Sequence, residues 1–420
     1  MARGGSIRMW ESIMYELLKG LRVVECASFI AGPSCSLHLQ QFGAQVIRID
    51  PIGGGPDFGR WPVTDAGDSL YWEGLNKGKR SIAIDFSREE GRRLAVEIIT
   101  ASGPNAGLFV TNFPQGGLLA HDKLKVRRSD LITVRIAGWS DGAPAVDYTV
   151  NAAIGIPFMT GSDKNGSDPV NHVLPAWDLL AGAYAAFSLL AAERHRRETG
   201  EGGEVTVPLS DVAIASLGHM GQIAEVLMGG ERPRIGNALY GAFGRDFTTS
   251  DGRRVMVVAI TSRQWQGLVD ALELGSDVSS IERSLGASFV SDEGLRFQHR
   301  NELFGIVERA IRSIALAELE RRFASKGACW SVYRTLSEAI RDEPRFSTSG
   351  PLFETLTHPS GKRYPTPGSA ATFQGKQRLP VQAAPRLGAD TDWVLQNILQ
   401  LDKTDVGALH DAGIVSGVVG

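Results

Sequence analysis

Two short segments of the chain place charged side chains where they could do chemistry. Asp178 stands in Leu174-Pro-Ala-Trp-Asp-Leu-Leu-Ala-Gly182, between a proline and a long apolar stretch. An acidic residue at a predicted helix start can cap the helix by accepting backbone amide hydrogen bonds. The segment Asn76-Lys-Gly-Lys-Arg80 places three cations beside a glycine just before a predicted strand, which suits a phosphate-bearing ligand. Taken alone, a helix cap and a solvated loop are the simpler interpretations.

The motifs of several common enzyme classes are absent from the sequence. The turn after the first predicted strand, Cys26-Ala-Ser-Phe-Ile-Ala-Gly-Pro33, lacks the G-x-G-x-x-G pattern of a nicotinamide or flavin site. Without those glycines, Asp50 at the end of the second strand is better interpreted as a turn residue than as a ribose ligand. Gly53-Gly-Gly55 is not a Walker loop and is consistent with a flexible loop. The eight histidines and three cysteines form no metal-binding pattern, and no G-x-S-x-G elbow occurs.

Strand and helix patterns alternate through the first part of the chain. Proline at a first helical position and Gly43 after the end predict a helix from Pro33 to Phe42. An acidic start and apolar residues at helical spacing predict another from Arg88 to Thr100. The alternation predicts a mostly parallel, Rossmann-like sheet covered by helices on both faces, an α/β fold. The predicted strands are short, rich in β-branched residues and bounded by turn residues: Leu21–Cys26, Gln45–Asp50, Ser81–Asp85, Leu108–Thr111 and Leu131–Ile136.

The rest of the chain predicts a helical continuation and then a smaller α+β domain. A helix from Asp178 stops at Gly200, and another runs from about Leu209 to Met228. One broad face of the first helix is apolar and contains Leu179, Leu180, Tyr184, Phe187, Leu190 and Ala191. We predict an N-terminal extension at 1–18, the first part of a large domain at 19–228, a small domain at 229–328 and a return segment at 329–420.

The composition restricts the partners and the compartment. Lysine plus arginine (44) nearly balance aspartate plus glutamate (47), so the net charge of −3 creates no field that would attract nucleic acid or an anionic membrane. No apolar run reaches the roughly 20 residues that span a bilayer. The stretch Met1–Tyr15 lacks the apolar core of a secretory signal, and three scattered cysteines fit a reducing compartment. We expect a cytoplasmic protein with no nucleic-acid or membrane partner.

Several motifs occur in order along nearly the whole chain and together identify a family. They are Leu18-Lys-Gly-Leu-Arg-Val-Val24, Ala31-Gly-Pro33, Phe42-Gly-Ala-Gln-Val-Ile-Arg-Ile-Asp50, Asn76-Lys-Gly-Lys-Arg-Ser-Ile82, Asn112-Phe113, Thr160-Gly161, Trp177-Asp178, Arg194-His-Arg-Arg-Glu-Thr-Gly200, Thr249-Ser-Asp-Gly252, Gly327-Ala-Cys329, Asp342-Glu-Pro344 and Leu387-Gly-Ala-Asp-Thr-Asp392. With these motifs the chain resembles the class III (family III) CoA-transferases, which include formyl-CoA and carnitine CoA-transferases and the α-methylacyl-CoA racemases.

The resemblance implies that Asp178 is the nucleophile of a CoA transfer. Its carboxylate would attack an acyl-CoA thioester to give a mixed anhydride and CoA thiolate, which would then form an aspartyl-CoA thioester and release the acid. The resemblance places the CoA phosphates and adenine near Arg48, Lys79 and Arg80, with the turn Ala31-Gly32-Pro33 close to the thioester. It also implies an interlocked homodimer, no metal and no permanently bound cofactor, with CoA present only as part of the acyl-CoA substrate.

Two departures from the family pattern narrow the range of possible reactions and substrates. Val146 stands where the racemases carry a histidine, so racemase chemistry lacks one of its proton carriers. Ile30 stands where the formyl-CoA transferases carry a glutamine, and their glycine-rich lid loop is missing. An oxalate-type substrate is therefore disfavoured.

Within the family, the stretches Val134–Ala153 and His172–Asp178 resemble the mesaconyl-CoA C1–C4 transferases most closely. These enzymes move CoA between the two carboxyls of one C4 diacid, which implies a closed pocket that retains the freed mesaconate. Candidate substrate-binding residues are Ile30, Tyr148, Asn151 and His172, although packing is the simpler role for the last three. The alternatives are an intermolecular transferase using succinyl-CoA or a similar donor, an α-methylacyl-CoA racemase, and a non-catalytic CoA-binding regulator.

Overall fold

A computed structural model describes residues 14–162, 166 and 168–418, so the predicted extension at 1–18 lies mostly outside the described residues. The strands are β1 (Arg22–Cys26), β2 (Gln45–Pro51), β3 (Arg80–Ile84), β4 (Leu108–Thr111), β5 (Ile132–Ala137), β6 (Gly203–Pro208), β7 (Phe243–Thr248), β8 (Arg254–Ala259), β9 (Cys329–Val332), β10 (Phe353–Thr357), β11 (Arg363–Pro367) and β12 (Val415–Ser416). The α-helices are α1 (Ala31–Gln41), α2 (Leu70–Leu75), α3 (Glu89–Thr100), α4 (His121–Arg127), α5 (Asp147–Ala153), α6 (Ile156–Met159), α7 (Ala176–Thr199), α8 (Leu209–His219), α9 (Gln222–Gly229), α10 (Ser262–Ala271), α11 (Gly275–Leu285), α12 (Glu293–Gln298), α13 (Arg300–Arg312), α14 (Leu316–Lys326), α15 (Leu336–Asp342), α16 (Thr391–Ile398) and α17 (Lys403–Asp411).

The chain divides into two compact units. Unit 1 contains the described residues up to 154, residues 173–223 and those from 344 onward. Unit 2 contains the described residues of 155–172 and 224–343. These boundaries differ from the predicted ones in two places. The described residues of 155–172, predicted in the large domain, belong to unit 2. Residues 329–343, predicted in the return segment, also belong to unit 2. The physical reason for the second difference is that β9 pairs with β8.

Unit 1 is built on a mostly parallel sheet with strand order β12-β3-β2-β1-β4-β5-β6. Strands β1 to β6 pair in parallel, and β12 joins β3 in the antiparallel direction. The order 3-2-1-4-5-6 is that of a doubly wound Rossmann sheet, so the predicted architecture of the large domain is confirmed. Successive strand residues alternate between two apolar clusters: Val23 belongs to one and Val24 to the other. Helices therefore cover both faces of the sheet.

Helix α7 packs its small residues against α1. At Gly182 a Cβ atom would lie 1.9 Å from Ser34 Oγ and 2.8 Å from the Ala31 carbonyl oxygen, so this approach requires glycine. The buried positions of α7 include Ala181, Gly182, Ala185, Ala186 and Leu189. The predicted apolar face is instead exposed within the chain, with Tyr184 at 54% and Phe187 at 67%.

The predicted single helix from Leu209 to Met228 is wrong, because the structure has two helices there. Helix α8 ends at His219, and the chain turns at Gly221, whose φ of 74° lies in the left-handed region that glycine favours. Among the described residues, no single helix has the length and apolar character of a membrane span, although α8 and α9 meet those criteria as a pair bent by 63°.

Unit 2 combines a small antiparallel sheet with helices, as the predicted α+β class requires. Strand β8 lies between β7 and β9 and is antiparallel to both. The core beneath this sheet is aromatic, with Phe243, Trp265 and Phe289 almost fully buried. Helix α10 begins with a capping box, in which Thr261 accepts from the Gln264 amide.

Candidate active site

The carboxylate of Asp178 lies in the first turn of α7 without serving as its cap. The helix begins at Ala176, two residues before the predicted start, and Pro175 at the N-cap provides no side-chain acceptor. Asp147 provides it instead, because its Oδ2 accepts hydrogen bonds from the amides of Trp177 (2.6 Å) and Asp178 (3.1 Å). Among the described residues, none donates a hydrogen bond to the Asp178 carboxylate. Asp147 thus satisfies two amides at the N-terminus of α7, and the Asp178 carboxylate is not engaged in capping the helix.

Burial and a neighbouring carboxylate raise the pKa of Asp178 to about 7. Loss of hydration is the largest cause, the negative charge of Asp147 adds to it, and the positive charge of Arg60 opposes both. A carboxylate with a raised pKa is a stronger base and nucleophile once it is ionised. Near neutral pH, a substantial fraction of Asp178 is in that form.

Helix α5 fixes the segment that leads into α7. Trp177 Nε1 donates to Asn151 Oδ1 at 3.0 Å, and Tyr148 Oη donates to the Val173 carbonyl oxygen at 3.2 Å. Asn151 is fully buried, whereas Tyr148 is 41% exposed. Both residues therefore position the backbone around Asp178, and their contact with substrate stays a prediction. The predicted substrate role of His172, which belongs to unit 2, also stays a prediction.

Ile30 is the last residue before α1, and the predicted thioester-binding residues Ala31, Gly32 and Pro33 form the first turn of that helix. Phe29 adopts a left-handed backbone with φ of 69°, and α1 begins two residues later. At Gly32 a Cβ atom would lie 2.4 Å from the Ala27 Cβ, so glycine is required here too. The residues Ile30–Pro33 are buried within the chain. Because the start of α1 packs against the second turn of α7, this turn is adjacent to the helical segment that carries Asp178.

Arg48 lies in a fully buried cluster of charges. Its guanidinium nitrogens donate to carboxylates of Glu25 at 2.9 Å, Asp50 at 2.9 Å and Asp57 at 3.0 Å. The remaining Nη1 hydrogen bond goes to Asn76 Oδ1 at 3.2 Å. All three guanidinium nitrogens are therefore engaged by protein groups. Contact of Arg48 with a CoA phosphate stays a prediction, but the structure gives this side chain a different set of partners.

Lys79 belongs to the same cluster and links it to α1. Its Nζ donates to Glu25 at 2.7 Å, to Asn76 Oδ1 at 2.9 Å and to the Pro33 carbonyl oxygen at 2.9 Å. Burial alone would raise the pKa of Glu25, but Lys79 and Arg48 together hold it below its usual range. The cluster thus stabilises the start of α1 with compensated charges, and the predicted CoA contact of Lys79 is untested.

Arg80 has a more accessible position than the other two predicted CoA-binding cations. It forms an ion pair with Asp390 at 2.8 Å and stacks over Trp393 at 3.6 Å. Its side chain remains 17% exposed. Of the three cations, Arg80 alone retains solvent-accessible surface, and its binding to CoA stays a prediction.

Sequence reasoning did not identify Arg60 and Tyr71 as part of the site. Arg60 follows the glycine-rich segment Gly53–Gly55, which the sequence indicated only as a flexible loop. Its guanidinium lies 5.4 Å from the Phe29 ring and 5.5 Å from the Tyr71 ring. Burial raises the pKa of Tyr71, and the negative charge of Asp178 adds to that shift. The positive charge of Arg60 opposes the raised pKa of Asp178. The spacing from Asp57 to Arg60 offered no recognisable signal, because only the folded chain brings the charge of Arg60 within electrostatic reach of Asp178.

Metal and thiol sites require particular arrangements of histidine, cysteine and acidic side chains. No group of three or more histidine, cysteine, aspartate or glutamate side chains is placed to hold a metal ion. Cys26 and Cys35 are buried, and burial raises the pKa of both thiols, so neither is ionised at neutral pH.

The sequence model of CoA-transferase family III matches residues 18–391, and the chain belongs to this family. It is therefore an enzyme of the CoA-transferase class. It is 50% identical over 406 residues to the 2-methylfumaryl-CoA isomerase of Chloroflexus aurantiacus, covering 96% of this chain and 99% of that protein. It is 25% identical to the human succinyl-CoA:glutarate CoA-transferase, covering 98% and 94% of the two chains. The crystal structure of a CAIB/BAIF family protein from Brucella suis has the same fold, with a TM-score of 0.72, 24% identity and coverage of 91% and 99%.

Proposed function

We propose that this enzyme moves CoA between the C1 and C4 carboxyl groups of mesaconate (2-methylfumarate) within one molecule. The observation in the chain that carries the proposal is the Asp178 carboxyl, which has a pKa of about 7 and no hydrogen-bond donor among the described residues. The choice of substrate is supported by the 50% identity to a 2-methylfumaryl-CoA isomerase. Val146, at the position of the racemase histidine, argues against proton abstraction.

The first half of the reaction transfers CoA to the enzyme. An oxygen of Asp178 attacks the C1 thioester carbonyl, the C–S bond breaks, and CoA leaves as a thiolate from a mixed anhydride. The thiolate then attacks the aspartyl carbonyl carbon of the anhydride. The C–O bond to mesaconate breaks, which leaves an aspartyl-CoA thioester at Asp178 and free mesaconate.

The second half returns CoA to the other end of the same acid. The C4 carboxylate attacks the aspartyl thioester, forms a second anhydride and expels the thiolate. Attack of the thiolate on the C4 carbonyl gives the C4 thioester and restores Asp178. Each step breaks one acyl bond and forms another, so no co-reactant is needed, but mesaconate must remain bound between the two halves.

The substrate also needs a place for its CoA part. We place the thioester beside Ala31, Gly32 and Pro33, because this turn packs against the part of α7 that carries Asp178. Among the predicted cations, Arg80 is the strongest candidate for a phosphate contact because its side chain is accessible. Contacts of Arg48 and Lys79 with CoA would require exchange of buried hydrogen bonds.

A homodimer in the cytoplasm completes the proposal. The apolar face of α7 is exposed in the single chain, with Phe187 at 67%, and soluble monomers rarely expose such faces without a partner. A second copy of the chain, interlocked as the family resemblance implies, would cover it. The free thiols of Cys26, Cys35 and Cys329 suit a reducing compartment. Sedimentation velocity at low micromolar concentration should give the mass of two chains.

Incubation with mesaconyl-C1-CoA alone tests the intramolecular reaction. We expect the C4 isomer to form without any added acid, and ¹³C-labelled free mesaconate in the solution should not enter the product. The main alternative is intermolecular transfer, which is supported by relatives such as the human succinyl-CoA:glutarate CoA-transferase. If the isomer appears only after a second carboxylic acid is added, the alternative is correct and the proposal is wrong.

A further inference from the structure

We propose that Arg60 and Tyr71 anchor the carboxylate of the substrate that is not reacting with Asp178. This inference rests on the proposed function, in which a diacid must keep one carboxylate bound while the other exchanges. The carboxylate would be bound by the guanidinium of Arg60, in the β2–α2 connection, and by the hydroxyl of Tyr71, in the first turn of α2. The ligand chemistry is a dicarboxylic acid or its monothioester.

Arg60 has the properties of a binding cation rather than a structural one. Among the described residues, no carboxylate forms an ion pair with it, and the residue is exposed. Its guanidinium is flanked by the rings of Phe29 and Tyr71, which restrict its orientation. A restricted guanidinium with uncommitted N–H groups is well suited to bind a carboxylate through two parallel hydrogen bonds.

Arg60 and Asp178 interact electrostatically without a direct ion pair. The positive charge of Arg60 opposes the raised pKa of Asp178, so the two groups lie within electrostatic reach. No ion pair joins them, so the Arg60 guanidinium is not committed to the nucleophile. A diacid with one carboxyl at Asp178 would bring the charge of its other carboxylate to the Arg60 cation.

Tyr71 adds a hydroxyl donor that is not used by any residue in the described part of the chain. Its Oη is buried and has no hydrogen-bond partner among the described residues. Burial raises the pKa of Tyr71, so the phenol stays protonated and can donate at neutral pH. A buried hydroxyl without a partner costs free energy, which a bound carboxylate oxygen would recover.

The backbone holds Arg60 and Tyr71 in a fixed relation. Ser69 Oγ donates to the Arg60 carbonyl oxygen at 2.5 Å and accepts from the Trp72 amide at 3.1 Å as the N-cap of α2. The Arg60 amide donates to the Asp57 carbonyl oxygen, and the Asp57 carboxylate is held by Arg48. The buried charge cluster therefore supports the loop that carries the anchor.

The test measures binding of two thioesters to an Asp178→Ala protein, in which no reaction can occur. Mesaconyl-C1-CoA carries the second carboxylate, and tigloyl-CoA has a methyl group in its place. Adding Arg60→Gln should raise the Kd of mesaconyl-C1-CoA roughly 100-fold and leave that of tigloyl-CoA within about twofold. Tyr71→Phe should raise the first Kd about tenfold. Arg60→Lys should restore part of the loss.

The matched control is Arg93→Gln, which removes an arginine that is 61% exposed on α3 and far along the chain from the anchor. It should change neither Kd. Equal losses for both thioesters in Arg60→Gln, or no loss for either, would overturn the anchor. The proposed function is tested separately with Asp178 intact, by incubation with mesaconyl-C1-CoA alone. Formation of the C4 isomer together with an unchanged thioester preference in Arg60→Gln would eliminate the anchor and leave the proposed function in place.

Discussion

Glu25 in the buried charge cluster and Asp178 at the start of α7 have pKa values shifted in opposite directions. In the cluster, Glu25 is fully buried but receives hydrogen bonds from two cations, and its pKa is held below the usual range. At the start of α7, Asp178 is less buried but has a carboxylate neighbour, and its pKa is raised to about 7. The ion pairs of Glu25 with Arg48 and Lys79 stabilise the fold. The Asp178 carboxylate, which receives no hydrogen bond from a cation among the described residues, has the reactivity that the chemistry requires.

The sharpest test of this contrast is Asp178→Asn. The amide cannot form the anhydride, so we expect turnover of mesaconyl-C1-CoA to fall by at least roughly 10⁴-fold. The measurement is the initial rate of C4 isomer formation, with CoA-ester binding as the control that the site persists. Activity within tenfold of the wild type would mean that another group carries the acyl transfer.

The same variant should be more stable than the wild type at pH 8. The native pKa of Asp178 is raised from 3.8 to about 7, so the folded protein binds this proton more tightly than the unfolded chain does. The wild type therefore loses stability as the pH rises from about 4 to 7, by roughly 4 kcal/mol at most. Asp178→Asn lacks this loss, and its advantage in thermal unfolding should disappear near pH 4.

Disrupting the buried charge cluster around Arg48 should instead lower the stability of the protein. Arg48→Met leaves the carboxylates of Glu25, Asp50 and Asp57 without their shared cation, which should cost about 3–5 kcal/mol of unfolding free energy. The deficit should shrink as the pH falls, because the uncompensated carboxylates then take up protons. Denaturant unfolding measures both effects, and Arg93→Met is the surface control. A loss below about 1 kcal/mol would show that the cluster contributes little to stability.

Much of the unit 1 fold could be predicted because its signals are local. Short β-branched strands alternate with helices, and the predicted strand Leu108–Thr111 matches β4 in both bounds. The break at Gly221 was missed, because one glycine inside an apolar run does not distinguish a turn from a continuous helix. The extent of unit 2 was also missed, because pairing of β9 with β8 joins segments far apart in the sequence.

The candidate site was predictable only in part. Asp178 stood out through its family motif, whereas no local pattern indicated that Asp147 would accept hydrogen bonds from the first amides of α7. The partners of Arg48 come from β1, from the end of β2 and from the loop beyond it, so no local pattern shows that its donors are engaged. Arg60 carried no motif, and its relation to Asp178 exists only in the folded chain.

The smallest predicted effect is a shift in the pKa of Asp178, and it distinguishes the contribution of Asp147 from that of Arg60. Asp147→Asn keeps an oxygen that can accept from the Trp177 and Asp178 amides but removes the negative charge, so the pKa of Asp178 should fall below 7. Arg60→Gln removes the opposing charge, so that pKa should rise. In pH profiles of kcat/KM for mesaconyl-C1-CoA isomerisation, each scaled to its own plateau, the acidic limb should move to lower pH in the first variant and to higher pH in the second. An acidic limb that moves in neither variant would mean that burial alone sets the pKa of Asp178, and that the contrast with the buried cluster does not depend on these neighbouring charges.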